Sequence, residues 1–412
     1  MKRPLPWILA ALLVSALRVF TPVAKIMTDG AAYLNLATEG LTAGSHLAAP
    51  FAYRFAVPMT VHFASLLTGA APRAVFQVVV VAAGFALLLA MYALALRSGA
   101  AARSAAVIMI VAASSLFAVR FPFYCPFDVD IEACVVSCLA FDCYRRGSHV
   151  AALGVSLAGL LFKEFLLAPL AALTVAFLLE YRREGSLRSL RLATLTVVMT
   201  VVVFIVPRVL IPVTSSFGTI TEYRLQSPST TLYFTQLRMF LAWPPKPGAA
   251  ANIVLALLSF WLPVLMLWTP ARAGAIRRAA GRDATPLGVW LVAIVALMAV
   301  GGTKIMVFAV YTAPLFAAAM AALLETGPSR FETAFVVVAT ALFNRIVFPL
   351  GSPGADPGVD IGFYGAYGLD LSDATLWRLA EAAGWVAAAA ILRHWRPRGE
   401  GARGAGESIA EA

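Results

Sequence analysis

The sequence predicts an all-α polytopic membrane protein with about twelve transmembrane helices, and three observations support this fold class. Of the 412 residues, 61% are hydrophobic and 13% are charged, whereas a typical soluble domain is about half apolar and a quarter charged. The mean hydropathy is +0.84. The apolar residues form unbroken runs close to the length of about 20 residues that crosses a bilayer. These observations exclude a soluble enzyme, a disordered chain and a fibrous protein.

The first predicted span covers residues 6–23. Its basic start and apolar centre are typical of a signal peptide, but no clear cleavage site follows and Arg18 interrupts the run. We therefore interpret it as an uncleaved span with a cytoplasmic N-terminus. Residues 24–73 form a long first periplasmic loop. Within this loop, FAVPMTVHFASLLTGA is short for a span and contains Pro58 and His62, which favours an interfacial helix.

The rest of the chain predicts eleven further spans. They cover residues 74–96, 105–121, 131–144, 150–162, 165–180, 192–213, 251–269, 287–301, 305–325, 333–349 and 377–393. Residues 150–180 fit either one long helix or two short ones, and two helices keep the basic run RREGSLRSLR in the cytoplasm. The single transmembrane domain then covers residues 1–395. The Gly- and charge-rich residues 396–412 are predicted to be a disordered cytoplasmic tail.

Basic residues predict the orientation of the chain. The net charge is +11, and with the N-terminus inside, 19 of the 32 Lys and Arg residues lie in cytoplasmic segments and 6 lie in outer loops. This bias follows the positive-inside rule and puts both termini in the cytoplasm. We exclude nucleic acid as a partner, because no basic face with interleaved aromatic residues appears.

The remaining seven cations lie in the outer halves of the predicted spans or at their outer ends. They are Arg18, Arg73, Arg120, Lys163, Arg208, Arg345 and Arg378. A charge at membrane depth costs about 3 kcal/mol, so it usually faces a cavity and has a partner. We expect Arg73, Arg120 and Arg378 to snorkel towards lipid headgroups. Lys163 and Arg345 have apolar residues on both sides and fit that explanation less well.

Acidic residues share the outer location. Asp29, Asp128, Asp130 and Glu164 lie in outer loops or turns, and further aspartates lie in the last outer loop, which could be an acceptor platform or a solvated loop. Arginines and a few carboxylates on the outer face suit an anionic, lipid-borne substrate. The arginines can hold a phosphate at headgroup level, and a carboxylate can transfer a proton.

Four stretches within residues 1–180 resemble the GT-C superfamily of integral-membrane glycosyltransferases, which take sugars from polyprenyl-phosphate carriers. They are TDGAAYLNLATEG after the first span, PFAYRFAVP in the same loop, FDVD at the outer end of a span pair, and LFKEFLLAPL before a proline-bearing helix. The resemblance implies a glycosyltransferase of the bacterial inner membrane with a periplasmic active site. It also implies a polyprenyl-phosphate sugar as the donor and a glycan, lipid or protein as the acceptor.

The resemblance further implies roles for individual residues. Asp29 would be the catalytic base, although it could equally cap the helix that follows it. Arg54 and Lys163 would bind the donor phosphate, unless Arg54 snorkels to the headgroups. Glu164 would orient Lys163, unless the two form a plain buried ion pair with no ligand.

Four further residues complete the predicted site. Tyr53 would support Arg54, and Arg345 would be a third phosphate contact or a partner for an acid. Asp128 and Asp130 form the D-x-D pattern with which metal-dependent glycosyltransferases hold a divalent cation such as Mg²⁺ or Mn²⁺. In an extended segment the two side chains would share one face. The pattern also arises often by chance, so a site without metal stays open.

Two other functional classes also stay open. Twelve spans with both termini inside is a common layout of secondary transporters for small or anionic solutes. A transporter would place its charges near the bilayer midplane on broken helices in two related halves, whereas the charges here lie outward and no internal repeat appears. A non-catalytic component of an envelope assembly is the other alternative.

Overall fold

The computed structural model describes residues 4–21, 28–41, 48–211, 215–216, 247–300, 305–345 and 373–394. Within these ranges the chain is helical apart from turns and one parallel pair of two-residue strands, β1 Ala48–Ala49 and β2 Ser215–Ser216. The predicted all-α fold is therefore confirmed. The strand pair connects the loop before α3 to the segment that follows residue 211.

Ten helices form the first half of the chain. They are α1 Leu5–Val19, α2 Thr28–Glu39, α3 Ala56–Thr68, α4 Pro72–Arg97, α5 Ala102–Ala113, α6 Phe121–Tyr124, α7 Asp130–Arg145, α8 His149–Gly159, α9 Leu167–Glu184 and α10 Leu187–Leu210. In the second half, the described helices are α11 Pro247–Leu267, α12 Pro270–Ala280, α13 Ala284–Val300, α14 Ile305–Phe308, α15 Ala313–Leu324, α16 Arg330–Phe343 and α17 Asp373–His394. Each of the twelve predicted spans contains one or more of these helices.

Not every one of these helices is long enough to cross a bilayer alone. Among the described residues, six helical segments are sufficiently long and apolar, and a seventh is obtained if a bent pair is counted as one span. The six are Pro72–Arg97, Glu164–Glu184, Leu187–Leu210, Ala250–Leu267, Pro270–Ala299 and Thr375–His394. Shorter apolar helices, such as α1 and α8, occupy other predicted spans. The polytopic fold is thus established, while the count of twelve and the orientation stay predictions.

Two breaks in the helices lie next to buried charges, one inside the predicted span 105–121 and one between the predicted spans 150–162 and 165–180. The span predicted at 105–121 is bent by 67° between Ala102–Ala113 and Ala118–Tyr124, and a short π-helix at Leu116–Arg120 lies at the bend. Residues 150–180 form two helices, α8 and α9, joined by an extended Lys163 and a short 3₁₀ helix at Glu164–Leu166. Such breaks expose backbone groups that a continuous helix would satisfy, so they occur where protein buries them or a cavity solvates them.

The helices pack around one large hydrophobic core. α4 contacts α1, α5, α7 and α15, and α11 contacts α15 and α17. Large side chains such as Phe141, Trp290 and Phe316 are fully buried between them. α10, by contrast, lies at the edge against α9, and it exposes a valine-rich face that includes Val198, Val201 and Val202. An exposed apolar face of this length fits contact with lipid chains.

Charged side chains cluster at the two ends of the bundle. One end, here called the site end, includes the Lys163 break, the loop before α3 and the start of α7. The opposite end, here called the basic end, includes the contacts of Arg97 with Asp142 and of Arg145 with Asp283. Successive long helices run alternately between these ends, as the predicted up-and-down topology requires.

Candidate functional site

The four stretches that carry the sequence resemblance meet at the site end. Gly30 of α2 lies so close to Phe127 that a Cβ on it would be 3.0 Å from the Phe127 Cβ. The backbone N–H of Ala56 donates to the carbonyl of Leu161 at 3.1 Å, which joins PFAYRFAVP to LFKEFLLAPL. Residues about a hundred positions apart are therefore brought into one region.

Glu164 is the centre of the first charge cluster. Its carboxylate accepts hydrogen bonds from Arg54 Nε at 2.8 and 3.2 Å, and Arg208 donates to it through one terminal nitrogen at 3.1 Å. The side chains of all three are at most 13% exposed. Two guanidinium groups share one carboxylate, so these three side chains together carry a net positive charge in a buried location.

Two tyrosines complete this cluster. Arg54 donates to the Tyr33 hydroxyl at 3.1 Å, which links the loop to α2. The guanidinium carbon of Arg208 lies 4.9 Å from the centre of the Tyr53 ring, within cation–π range. Burial raises the pKa of the Tyr53 hydroxyl, and the charge of Arg208 opposes this effect. The hydroxyl has no hydrogen-bond partner among the described residues, so it is available to a polar ligand.

Lys163 belongs to a second, adjoining charge cluster. Its ammonium group lies 2.5 Å from Asp130 Oδ1, and the Tyr311 hydroxyl donates to the same oxygen at 2.7 Å. Phe165 stacks on Tyr311 with ring centres 4.5 Å apart and also contacts Phe308. This aromatic wall excludes water from the Lys163–Asp130 pair. The prediction that Glu164 orients Lys163 is therefore wrong, because the extended backbone at Lys163 turns the two neighbouring side chains to different partners.

The D-x-D segment does not adopt the extended conformation on which the metal hypothesis rests. Asp130 is the first residue of α7, and Val129 has φ −108° and ψ 9°. Asp128 Oδ1 accepts the Val129 N–H at 3.0 Å, while Lys163 supplies a cation to Asp130. No group of three His, Cys, Asp or Glu side chains among the described residues has an arrangement that could hold a metal ion.

Glu132 was not predicted as a site residue, although it lies one turn into α7 beside Asp130. It is 7% exposed, and neither of its carboxyl oxygens meets a hydrogen-bond partner from another described residue. The sequence signal was present, since an acid two positions after a D-x-D pattern continues the acidic run into the apolar helix.

Arg345 lies in a different cluster, around Glu381 of α17. Its two terminal nitrogens donate to the two Glu381 oxygens at 2.8 and 2.9 Å, and Arg378 also pairs with Glu381. Arg120 donates to the Arg345 carbonyl at 3.0 Å. Arg345 itself has a left-handed backbone, with φ 53°, which is unusual for a residue other than glycine.

The snorkelling expectation is wrong for two of its three arginines, and for Arg73 it stays a prediction. Arg73 is exposed and lies 5.7 Å from the Phe127 ring. Arg120 and Arg378, however, are only 2% and 4% exposed. Their guanidinium groups find a backbone carbonyl or Glu381 inside the protein, so they do not need to reach the headgroups.

Of the predicted site residues, the structure brings Tyr53, Arg54, Lys163, Glu164 and Asp130 together, with Asp128 two positions away. Asp29 is the second residue of α2, but its side chain lies outside the described residues. Arg208 was counted among the membrane-depth cations, but its pairing with Glu164 was not predicted. The last outer loop and the C-terminal tail also lie outside the described residues.

Comparison with known proteins supports the fold. No family model and no curated protein sequence matches the chain. The fold is similar to the apo crystal structure of ArnT from Cupriavidus metallidurans, with a TM-score of 0.50 and 16% identity over 93% of this chain and 75% of that chain. The structure of the same protein bound to undecaprenyl phosphate has a TM-score of 0.48 and 14% identity, over 93% and 76% of the two chains. The comparison therefore shows a polytopic helical fold similar to that of ArnT.

Proposed function

We propose that this protein is a membrane glycosyltransferase that moves a sugar from a polyprenyl-phosphate carrier to an extracytoplasmic acceptor. The observation that carries the proposal is the buried Arg54–Glu164–Arg208 cluster, which adjoins the Lys163–Asp130 pair. Four segments supply these residues, in a fold similar to that of apo ArnT. Buried charges on separate membrane helices are costly, and they are typical of sites that bind a charged ligand.

The cations would stabilise the departing lipid phosphate. When the sugar leaves, negative charge accumulates on the phosphate oxygens, and preorganised donors aimed at that charge lower the barrier. Arg54 and Arg208 are preorganised by Glu164, and its single negative charge leaves the three side chains with a net positive charge that a phosphate would balance. Lys163 is the third donor, and it is held in place by Asp130.

Asp29 is the proposed base that takes the proton of the acceptor hydroxyl. Its position in the chain supports this role. It precedes Gly30, which packs on Phe127, and it lies one helical turn before Tyr33, which bonds to Arg54. The start of α2 is thereby held beside the cation cluster. An acceptor hydroxyl bound there would be close to both the base and the carrier phosphate.

Arg345 and the two aspartates have less defined roles in the proposal. Arg345 remains a candidate for a further phosphate contact, and its bidentate pair with Glu381 would hold its guanidinium rigid. Asp128 and Asp130 fit a divalent cation poorly, because Lys163 and Tyr311 already occupy Asp130 Oδ1. The transfer step proposed here therefore uses the protein's own cations.

The proposed location is the bacterial inner membrane, with the site end facing the periplasm. The charge bias supports this orientation, since the arginine-rich segments lie at the basic end. Nucleotide sugars are confined to the cytoplasm, so a periplasmic enzyme would use a sugar already carried across on a lipid. The acceptor would be a glycan, a lipid or a protein.

Two site variants and one control variant test the proposal. In cells whose own copy is deleted, Asp29→Asn and Arg54→Gln should each lower sugar incorporation into surface glycan by about 100-fold or more. Arg73→Gln should keep full activity, because Arg73 is an exposed outer cation. Immunoblots of the membrane fraction check that all three variants are equally abundant.

Binding gives an independent measurement. The purified protein should retain undecaprenyl phosphate in native mass spectrometry, and Arg54→Gln should weaken this retention while Arg73→Gln does not. Full activity of Asp29→Asn would contradict the assignment of the base. If the variants lost solute uptake in whole cells while sugar incorporation stayed unchanged, the assignment as an enzyme would be wrong and a transporter would be favoured.

A further inference from the structure

A cavity of about 700 Å³ opens at the basic end of the bundle, away from the proposed transfer site. Residues of α12, the end of α15 and the end of α17 line it. Its charged lining consists of Arg272, Arg278, Arg393 and Glu325. Three guanidinium groups thus face one carboxylate across a space large enough for a lipid headgroup.

Two of these guanidinium groups are held in fixed positions. Arg272 donates to both oxygens of Glu332, at 2.7 and 3.0 Å, and Arg393 donates to the same carboxylate at 3.3 Å. Arg272 also donates to the carbonyl of Leu267. Because one buried carboxylate serves two arginines, these three side chains together carry a net positive charge at the cavity wall.

Arg278 of α12 adds a third cation to the cavity lining. It is exposed and forms no ion pair with any described residue. Arg278 lies three residues after Ala275 and one helical turn after Gly274, so it projects from the same face of α12 as the cavity-lining residues. The side chain is therefore free to close on a ligand without breaking an existing pair.

The remaining lining favours a lipid over a free anion. Ala271, Ala275 and Ala279 repeat every four residues along α12, and Ala322 of α15 faces them. They form an apolar wall directly beside the guanidinium groups. No residue of α12 is buried, so other helices of the described chain do not cover this wall of the cavity. A phosphate with an attached glycerol and acyl chain matches both the charge and the apolar wall.

We propose that this cavity binds the phosphate headgroup of an anionic phospholipid from the leaflet at the basic end. Arg272 and Arg393 form the fixed part of the site, and Arg278 closes over the phosphate. The inference does not depend on the sugar-transfer reaction, because none of its residues lies at the site end. Bound lipid would hold α12 against α15 and α17.

Native mass spectrometry of the purified full-length protein with added phosphatidylglycerol tests this site. Arg278→Gln should weaken binding of one phosphatidylglycerol molecule about fivefold, since an arginine at the membrane surface contributes about that factor to attraction of an anionic lipid. Arg277→Gln is the matched control, because Arg277 is an exposed neighbour on the same helix that does not line the cavity. It should leave binding unchanged.

Three results would overturn the proposal. Equal weakening by both variants would indicate a general surface charge effect in place of a defined site. Equal binding of zwitterionic phosphatidylcholine would remove the need for the arginines. Displacement of the lipid by millimolar inorganic phosphate would assign the cavity to a free anion. Unchanged sugar incorporation by Arg278→Gln would further separate this site from the proposed enzymatic one.

Discussion

Among the carboxylates that lie between a pair of arginines, Glu164 at the site end and Asp142 at the basic end differ most clearly in burial. At the site end, Glu164 binds Arg54 and Arg208, and the exposed fractions of the three side chains are 9%, 13% and 5%. At the basic end, Asp142 binds Arg97 at 2.7 Å and Arg146 at 2.7 Å, and the arginines are 35% and 52% exposed. The same arrangement of charges is therefore buried at one end and solvated at the other.

The difference separates a structural charge cluster from a candidate site. Solvent screens the Asp142 pairs, which cost little to form and contribute little to stability. In the Glu164 cluster three charged groups lose their hydration. Ion pairing offsets this free-energy cost only when the geometry of the pairs is good. Evolution can replace such a cluster with apolar residues at no loss of stability. Its presence at the site end therefore points to a ligand.

The largest expected effect comes from removing the two carboxylates in turn. Glu164→Gln should lower the free energy of unfolding by about 3–5 kcal/mol, because it leaves two buried guanidinium groups without a countercharge. Asp142→Asn should lower it by about 1 kcal/mol or less, since water can solvate Arg97 and Arg146. Reversible unfolding in mixed micelles measures both values. Equal losses would show that burial does not distinguish the two clusters.

A smaller effect is expected from double-mutant cycles on one ion pair at each end. Lys163→Met and Asp130→Asn should show a coupling free energy of about 2–3 kcal/mol, because the pair is buried behind Phe165. Arg145→Gln and Asp283→Asn should show about 0.2–1 kcal/mol, since Asp283 is 40% exposed. The same unfolding measurement applies. A coupling below 1 kcal/mol at Lys163 would mean that water reaches the pair.

The smallest expected effect concerns two glycines, Gly159 at the end of α8 and Gly185 directly after α9. In Gly159→Ala the new Cβ would lie 2.5 Å from Leu166 Cγ, so the change should cost about 2 kcal/mol and displace the Lys163–Glu164 segment. Gly185→Ala should cost about 1 kcal/mol, because Gly185 has φ +68° but open space around it. Only Gly159→Ala should also reduce sugar incorporation. Equal activity of both variants would show that the position of Glu164 tolerates movement.

Much of the fold could be predicted from the order of residues along the chain. The apolar runs predicted spans that each coincide with one or more helices of the structure. The polar Lys163-Glu164 pair indicated the break between α8 and α9. The stretch after Phe55 is indeed the short helix α3. These features are local, because hydrophobic periodicity and helix breaks depend on neighbouring residues.

The partners of the charges could not be predicted in the same way. Glu164 was paired with its neighbour Lys163, whereas the structure pairs it with Arg54 and Arg208. Arg120 and Arg378 were assigned to the headgroups, but contacts with Arg345, Phe343 and Glu381 hold them inside. Each of these contacts, apart from Arg378 with Glu381, joins residues 35 or more positions apart.

The sequence by itself determined that this protein is a helical membrane protein and where most of its helices lie. It also identified the cations whose neighbours in the chain are too apolar for an ordinary loop. Only the tertiary structure decided which of these cations share a carboxylate, and that Glu164, Asp130 and Glu381 each organise a separate group. The physical reason is that insertion of a segment into a membrane depends on the composition of that segment. An ion pair depends instead on the distance between two charged side chains. Helix packing sets that distance, and it brings together side chains that the chain itself keeps far apart.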